Sequence, residues 1–248
     1  MTRHVTFMTI DDAEHYTPEQ RSAIVAGYLP HEREARAKGI PVMGSGRIFP
    51  VPEEDIACDI IEIPKWWARL GAMDFGWDHP FAAVELAWDK DADIVYVTKA
   101  YRKSEATPVI HSAALKPWGA LRWMWPRDGN RQTLEGAGKA LAVQFVAQGL
   151  DMHPDHAQFA DGSVSVEAGL MEMLDRMQTG RFKVFRHLTE WFEEFRLYHR
   201  DKGVVVKLMD DLMSATRYGV MMLRFAEPLE DERPRPDRHY GGAGAWMG

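Results

Sequence analysis

The sequence has one cysteine, Cys58, in 248 residues. An internal disulfide and a cysteine-rich zinc site are therefore excluded, and the composition suits a reducing compartment. No stretch approaches the run of about 18 apolar residues that a membrane-spanning helix needs. Residues 1–15 lack the apolar segment of a secretory signal. Positive charge is also in short supply: 30 Lys and Arg stand against 37 Asp and Glu, a net charge of −7. Such a chain does not advertise tight nucleic-acid binding, because phosphate contacts need Lys and Arg. An enzyme that holds cations on carboxylates stays open, since its site is itself negative. There is no internal repeat and no long low-complexity tract. What remains is ordinary globular composition, 46% hydrophobic and 27% charged. That fits a core-bearing domain of roughly 150–200 residues with room for an extension.

The chain divides into three unequal parts. Residues 1–65 read as an extension. A short strand is expected at 4–10, and Thr17-Pro18-Glu19-Gln20 is a helix start, with Thr as N-cap, Pro at the first position and Gln at the third. Gly27 and Gly39-Ile40-Pro41 read as helix stops. Gly44-Ser45-Gly46 and prolines 50, 52 and 64 suggest extended chain without an obvious buried core. Residues 66–226 read as the compact domain. Strands at 69–74, 81–88 and 94–101 form an antiparallel meander, the last two joined by a turn at 89–93. A helix at 108–116, a strand at 121–125, a helix at 131–148 and a strand at 156–160 follow. Helices are then expected at 164–179, 188–199 and 211–225, with a short strand or extension at 204–208. Residues 227–248 read as a solvated, flexible tail. A meander leading into parallel strands with helices beside them is an α/β mixed sheet of the ribonuclease H-like kind.

In that sheet the first and fourth strands are neighbours. Asp74 follows the first, Asp128 follows the fourth, and Asp210-Asp211 opens the last helix. Three carboxylates gathered at one place raise each other's pKa and need a cation. Mg²⁺ or Mn²⁺, hard ions that prefer oxygen ligands, answer that need. Two such ions would clamp the attacking and leaving oxygens of a phosphodiester without a nucleophilic side chain. Each residue also has a plain structural reading. Asp74 before Phe-Gly and Asp128 before Gly129 suit turns, and Asp210-Asp211 suits a helix cap. Their joint position at strand ends and a helix start favours the site. Glu167, His79 and Lys207 are candidate supporting residues, with first-turn, packing and solvated roles as their alternatives. Asp89-x-Asp91-x-Asp93 lacks the Gly and Glu of a calcium loop and reads as a hairpin turn. Residues 151–156 read as a loop, because Pro154 spoils the helical spacing of a His/Asp metal site.

The segment Met73-Asp74-Phe75-Gly76-Trp77-Asp78-His79-Pro80 resembles the first acidic motif in the nuclease domain of large terminase subunits from tailed bacteriophages. Lys207-Leu208-Met209-Asp210-Asp211-Leu212-Met213-Ser214 resembles the closing one. Val166–Leu170, Arg181–Phe185 and Trp191–Arg200 are similar to later landmarks, and 39–55 to the segment joining the terminase ATPase to its nuclease. The resemblance spans roughly residues 5–225. It implies a metal-dependent DNA endonuclease of low sequence specificity, with Asp74, Asp128 and Asp211 as metal ligands and Asp210 as an alternate. It implies double-stranded DNA, a terminase ATPase domain, a small terminase subunit and a portal as partners, in the host cell cytoplasm. Two departures stand out. The phosphate loop G-x-x-x-x-G-K-[ST] of an ATP motor is absent, so the chain is expected to be the nuclease half with residues 7–12 as a remnant of the ATPase. Ser214 also stands where many relatives carry an acid. Two rival readings remain: a docking module of the packaging motor, or a stand-alone resolvase or ribonuclease H-like nuclease.

Overall fold

A computed structural model describes residues 9–13, 15–28, 37, 46–130 and 140–229. The first helix, α1 (Pro18–Ala26), starts where the capping sequence demands. Thr17 Oγ1 accepts from the Gln20 N–H at 3.3 Å, and Gln20 Oε1 accepts from the Thr17 N–H at 2.9 Å. The strand expected at 4–10 lies mostly outside the described residues, and Ile10–Asp12 is a 3₁₀ turn.

A short helix α2 (Glu53–Ile56) leads into β1 (Ala57–Cys58). The meander follows as β2 (Ala68–Asp74), β3 (Phe81–Asp89) and β4 (Ile94–Lys103). Then come α3 (Pro108–Leu115), β5 (Arg122–Met124), α4 (Leu141–Ala147) and β6 (Asp151–Met152). The second half holds α5 (Val166–Gln178), β7 (Phe182–Phe185), α6 (Thr189–Leu197), the hairpin β8 (Arg200–Asp201) and β9 (Val204–Val205), α7 (Asp211–Met221) and β10 (Glu227–Pro228). The main sheet runs β1-β7-β4-β3-β2-β5-β6, with β10 also on β2. The meander is antiparallel, while β2/β5, β5/β6, β4/β7 and β1/β7 are parallel.

Alternation along the strands divides the core in two. Leu70 and Ala72 of β2 and Ala82, Val84 and Leu86 of β3 face one core, completed by α5, α6 and α7. Met73, Phe81 and Ala83 face the other, closed by Leu115 of α3 and Phe145 of α4. Helix α7 lies tight on the first face. A Cβ on Gly219 would stand 2.6 Å from Leu86 Cδ1 and 3.2 Å from Ala72 Cβ, so glycine is what allows that approach.

Three expectations need correction. The stretch before residue 65 does carry core: Ile48, Phe49, Val51 and Ile56 are buried, and Ala57 pairs with Val184 in the sheet. Residues 156–160 are not a strand. The fifth strand is β6, and Pro154, which has no N–H to donate, breaks the ladder after it. Only single bonds continue, from the His153 N–H to the Trp123 carbonyl and from the Ala157 N–H to the Trp125 carbonyl. Strand β7 was not expected at all, though Phe182 and Val184 alternate with Lys183 and are fully buried. Of the helix at 131–148 only Leu141–Ala147 lies among the described helical residues. The 89–93 turn is as expected: Asp89 Oδ1 accepts from the Asp91 and Ala92 N–H groups at 3.1 and 3.2 Å.

Candidate functional site

Parallel pairing of β2 with β5, Gly71 opposite Trp123 and Ala72 opposite Met124, brings the ends of both strands to one edge of the sheet. Asp74 is the last residue of β2. Asp128 sits in the 3₁₀ turn Arg127–Asn130 beyond β5. Helix α7, packed across β2 and β3, begins at that edge with Asp211. Asp74, Asp128, Asp210 and Asp211 thus line a single cleft of 1310 Å³, together with Glu167, His79 and Lys207.

The cleft is electrostatically strained. Burial first, then the charges of Asp128, Asp211 and Asp210, hold Asp74 well above the ordinary carboxylate range, while Arg217 pulls it down. Burial and Asp211 raise Asp210, and Lys207 opposes them. Burial also raises Asp211, opposed by His79, whose Nδ1 lies 3.1 Å from Asp211 Oδ1. Tyr218, in the wall, is pushed up to about 12 by burial and by Asp74. Like-charged carboxyls at one place favour a cation, and an all-oxygen donor set suits a hard divalent ion. Among the described residues, however, no three His, Cys, Asp or Glu side chains are drawn together into a ready-made ligand set.

The supporting candidates fare differently. His79 reaches the site because the chain after Asp74 doubles back. Gly76 makes that turn possible: a Cβ there would stand 2.3 Å from the His79 carbonyl and 2.6 Å from its Nδ1. Lys207 is exposed on the rim. Glu167 lines the cleft, but its carboxylate is engaged by Arg200, with Nη1 at 2.8 Å and Nη2 at 2.5 Å. Ser214 is buried in the wall, where it adds no charge.

Two residues escape the sequence reading, Arg217 in the wall of the cleft and Glu194 behind the start of α7. Arg217 is buried with its guanidinium 4.4 Å above the Tyr218 ring. Glu194 is fully buried in α6. Burial pushes its carboxyl up to about 7, against the pull of Arg102. A signal for Glu194 existed: it lies three residues after Trp191 and four before Tyr198, on the apolar stripe of its helix.

With this geometry in view, comparison with known proteins is decisive on family. A profile described as "Terminase RNaseH-like domain" matches residues 71–223, and the profile "Terminase large subunit, T4likevirus-type, N-terminal" matches residues 1–56. The chain belongs to the large-terminase family and carries its ribonuclease H-like domain. The large terminase subunit of Salmonella phage P22 is 51% identical over 94% of this chain, which spans about half (47%) of that relative's length. The solved nuclease domain of the P22 large terminase is 49% identical, covers 75% of this chain and 96% of its own, and superposes with a TM-score of 0.70. The large-terminase nuclease domain of bacteriophage SPP1, solved with bound Mn, shares the fold at 18% identity, covering 70% of this chain and 98% of its own, with a TM-score of 0.50. No helix among the described residues is long and apolar enough to cross a membrane.

Proposed function

We propose that this chain hydrolyses double-stranded DNA as the metal-dependent endonuclease of a phage packaging terminase. The observation that carries the reading is the convergence of Asp74, Asp128, Asp210 and Asp211 on one cleft, with Asp74 and Asp210 raised in pKa by burial and neighbouring acids and Asp211 raised by burial. Asp74, Asp128 and Asp211 are the residues to hold Mg²⁺ or Mn²⁺, with Asp210 in support. The Mn-bound SPP1 relative lends weight to a divalent ion. Two ions bound there would supply a polarised water and a Lewis acid for the leaving oxygen. The chain's own residues do the remaining work. His79 orients Asp211 through the 3.1 Å contact and favours its charged form against burial. Arg217 moderates the charge on Asp74. Lys207, on the rim, is placed to meet a DNA phosphate.

Residues 66–226 form the nuclease unit in this reading, residues 1–65 the connector from a terminase ATPase, and residues 227–248 a tail. The match of the first 56 residues to the N-terminal terminase profile supports the connector. Concatemeric phage DNA, a small terminase subunit and a portal are the partners that go with the role, in the host cytoplasm. Cleavage is of low sequence specificity, and with a net charge of −7 DNA binding by the isolated chain is weak and salt-sensitive.

Nicking of supercoiled plasmid tests the reading. Mn²⁺ or Mg²⁺ should support nicking and EDTA should abolish it. Asp74→Ala, Asp128→Ala and Asp211→Ala should each lower the rate by about 100-fold or more, the scale on which removal of an electrostatic stabiliser acts. Nicking that survives all three substitutions places the chemistry elsewhere, and none with any metal favours a docking role.

A further inference from the structure

The first N–H groups of a helix have no partner within it and need an acceptor from elsewhere. Asp210 holds the N-cap position of α7, yet its side chain makes no capping hydrogen bond. The acceptor comes from α6. Glu194 Oε2 accepts from the Leu212 N–H at 2.6 Å and from the Met213 N–H at 3.3 Å. Its other oxygen, Oε1, accepts from Arg102 Nη1 at 2.7 Å. Arg102 comes from the end of β4 and is braced by Glu190 at 3.7 Å and Glu193 at 3.9 Å. One buried carboxylate therefore ties the start of α7 to α6 and to the sheet.

The consequence concerns Asp210 and Asp211. An aspartate at a helix start ordinarily spends its carboxylate on the helix's own N–H groups. Here a third acid does that work for the Leu212 and Met213 N–H groups, and both aspartates line the cleft. The negative charge of Glu194 also lies close to Asp211, and Arg102 offsets it locally. A neutral or shorter side chain at 194 would leave the Leu212 and Met213 N–H groups open, and Asp210 would be free to swing back and cap them.

We infer that Glu194 is a positioning residue for the cleft: by capping α7 in trans, it releases the Asp210 and Asp211 carboxylates for a divalent cation. The inference rests on the metal-site reading above.

The test is Mn²⁺ binding by the full chain, measured by titration calorimetry with MnCl₂, together with amide hydrogen exchange at Leu212 and Met213 without metal. Glu194→Ala should weaken Mn²⁺ binding at least tenfold and speed exchange at both amides at least tenfold. Glu194→Gln keeps an acceptor oxygen and should recover part of each loss. Val97→Ala, a cavity in β4 remote from the α7 start, should lower stability yet leave the Mn²⁺ affinity within twofold. Glu194→Gln decides the matter if Glu194→Ala does not fold. Folded Glu194 variants that bind Mn²⁺ within twofold of wild type, while Asp211→Ala does not bind it, overturn the positioning role alone. A wild-type chain that binds no Mn²⁺ overturns the metal-site reading, and the positioning role with it.

Discussion

Asp74 is buried in the cleft and surrounded by three other acids. A carboxyl raised in the folded state favours folding while protonated and opposes it once pH rises through its folded pKa. By neutral pH the raised pKa of Asp74 therefore counts against the stability of the metal-free fold. Asp74→Asn, nearly the same shape without the charge, should raise the metal-free melting temperature, by about 2–4 °C for each kcal/mol relieved. The same variant should lose the further rise that Mn²⁺ gives to wild type. Calorimetry with and without Mn²⁺ checks both, and a lower metal-free melting temperature would show that the charge is already compensated. The four aspartates were legible in the sequence because each sits at a strand end or helix start. Arg217 and Glu194 were not, because their roles depend on contacts across elements: Arg217 with Asp74 of β2, Glu194 with the backbone of α7. The bidentate capture of Glu167 by Arg200, 33 residues on, was beyond reach for the same reason.

Helix α7 is the element that makes the site, since it carries Asp211 and crosses the two strands beside Asp74. Its seat depends on Gly219. Gly219→Ala should cost about 1–3 kcal/mol by overpacking against Leu86 and Ala72, reduced by alanine's better helix propensity. Urea unfolding measures it, and an unchanged or higher midpoint would mean that Leu86 simply swings aside. The longer elements were readable: β2 as an apolar run, β3 and β4 by their strand-forming residues, α5 and α6 by apolar spacing, α1 by its capping box. Three short parallel strands were not. The four residues of β7 and the two each of β1 and β6 are too brief to show a period, and tertiary pairing rather than propensity makes them strands. The same limit hid the core role of Ile48–Ile56, a stretch rich in proline that nonetheless buries Phe49 completely.

At the scale of the whole molecule, the two cores respond differently to pH. His111 lies in the one away from α7, stacked 4.0 Å from Phe81 with its Nδ1 3.1 Å from the Tyr101 hydroxyl. Burial lowers its pKa from 6.5 to about 4. Between those limits the unfolded chain takes up a proton that the folded chain refuses, so stability falls on acidification, by about 3 kcal/mol in all. Glu194, raised from 4.5 to about 7, works in the opposite direction over much the same window. The difference between wild type and His111→Phe isolates the first effect. The variant should lose about one proton's worth of pH dependence between pH 6.5 and 4, and parallel curves would show that His111 titrates normally. The central claim concerns the other side of the molecule, where β2, β5 and α7 meet. Anomalous diffraction at the manganese edge from crystals soaked in MnCl₂ tests it most directly. Mn²⁺ should lie between the carboxylates of Asp74, Asp128 and Asp211, and none should bind in Asp211→Ala crystals. Manganese bound elsewhere, or an empty cleft in a protein that nicks DNA with Mn²⁺, would contradict it.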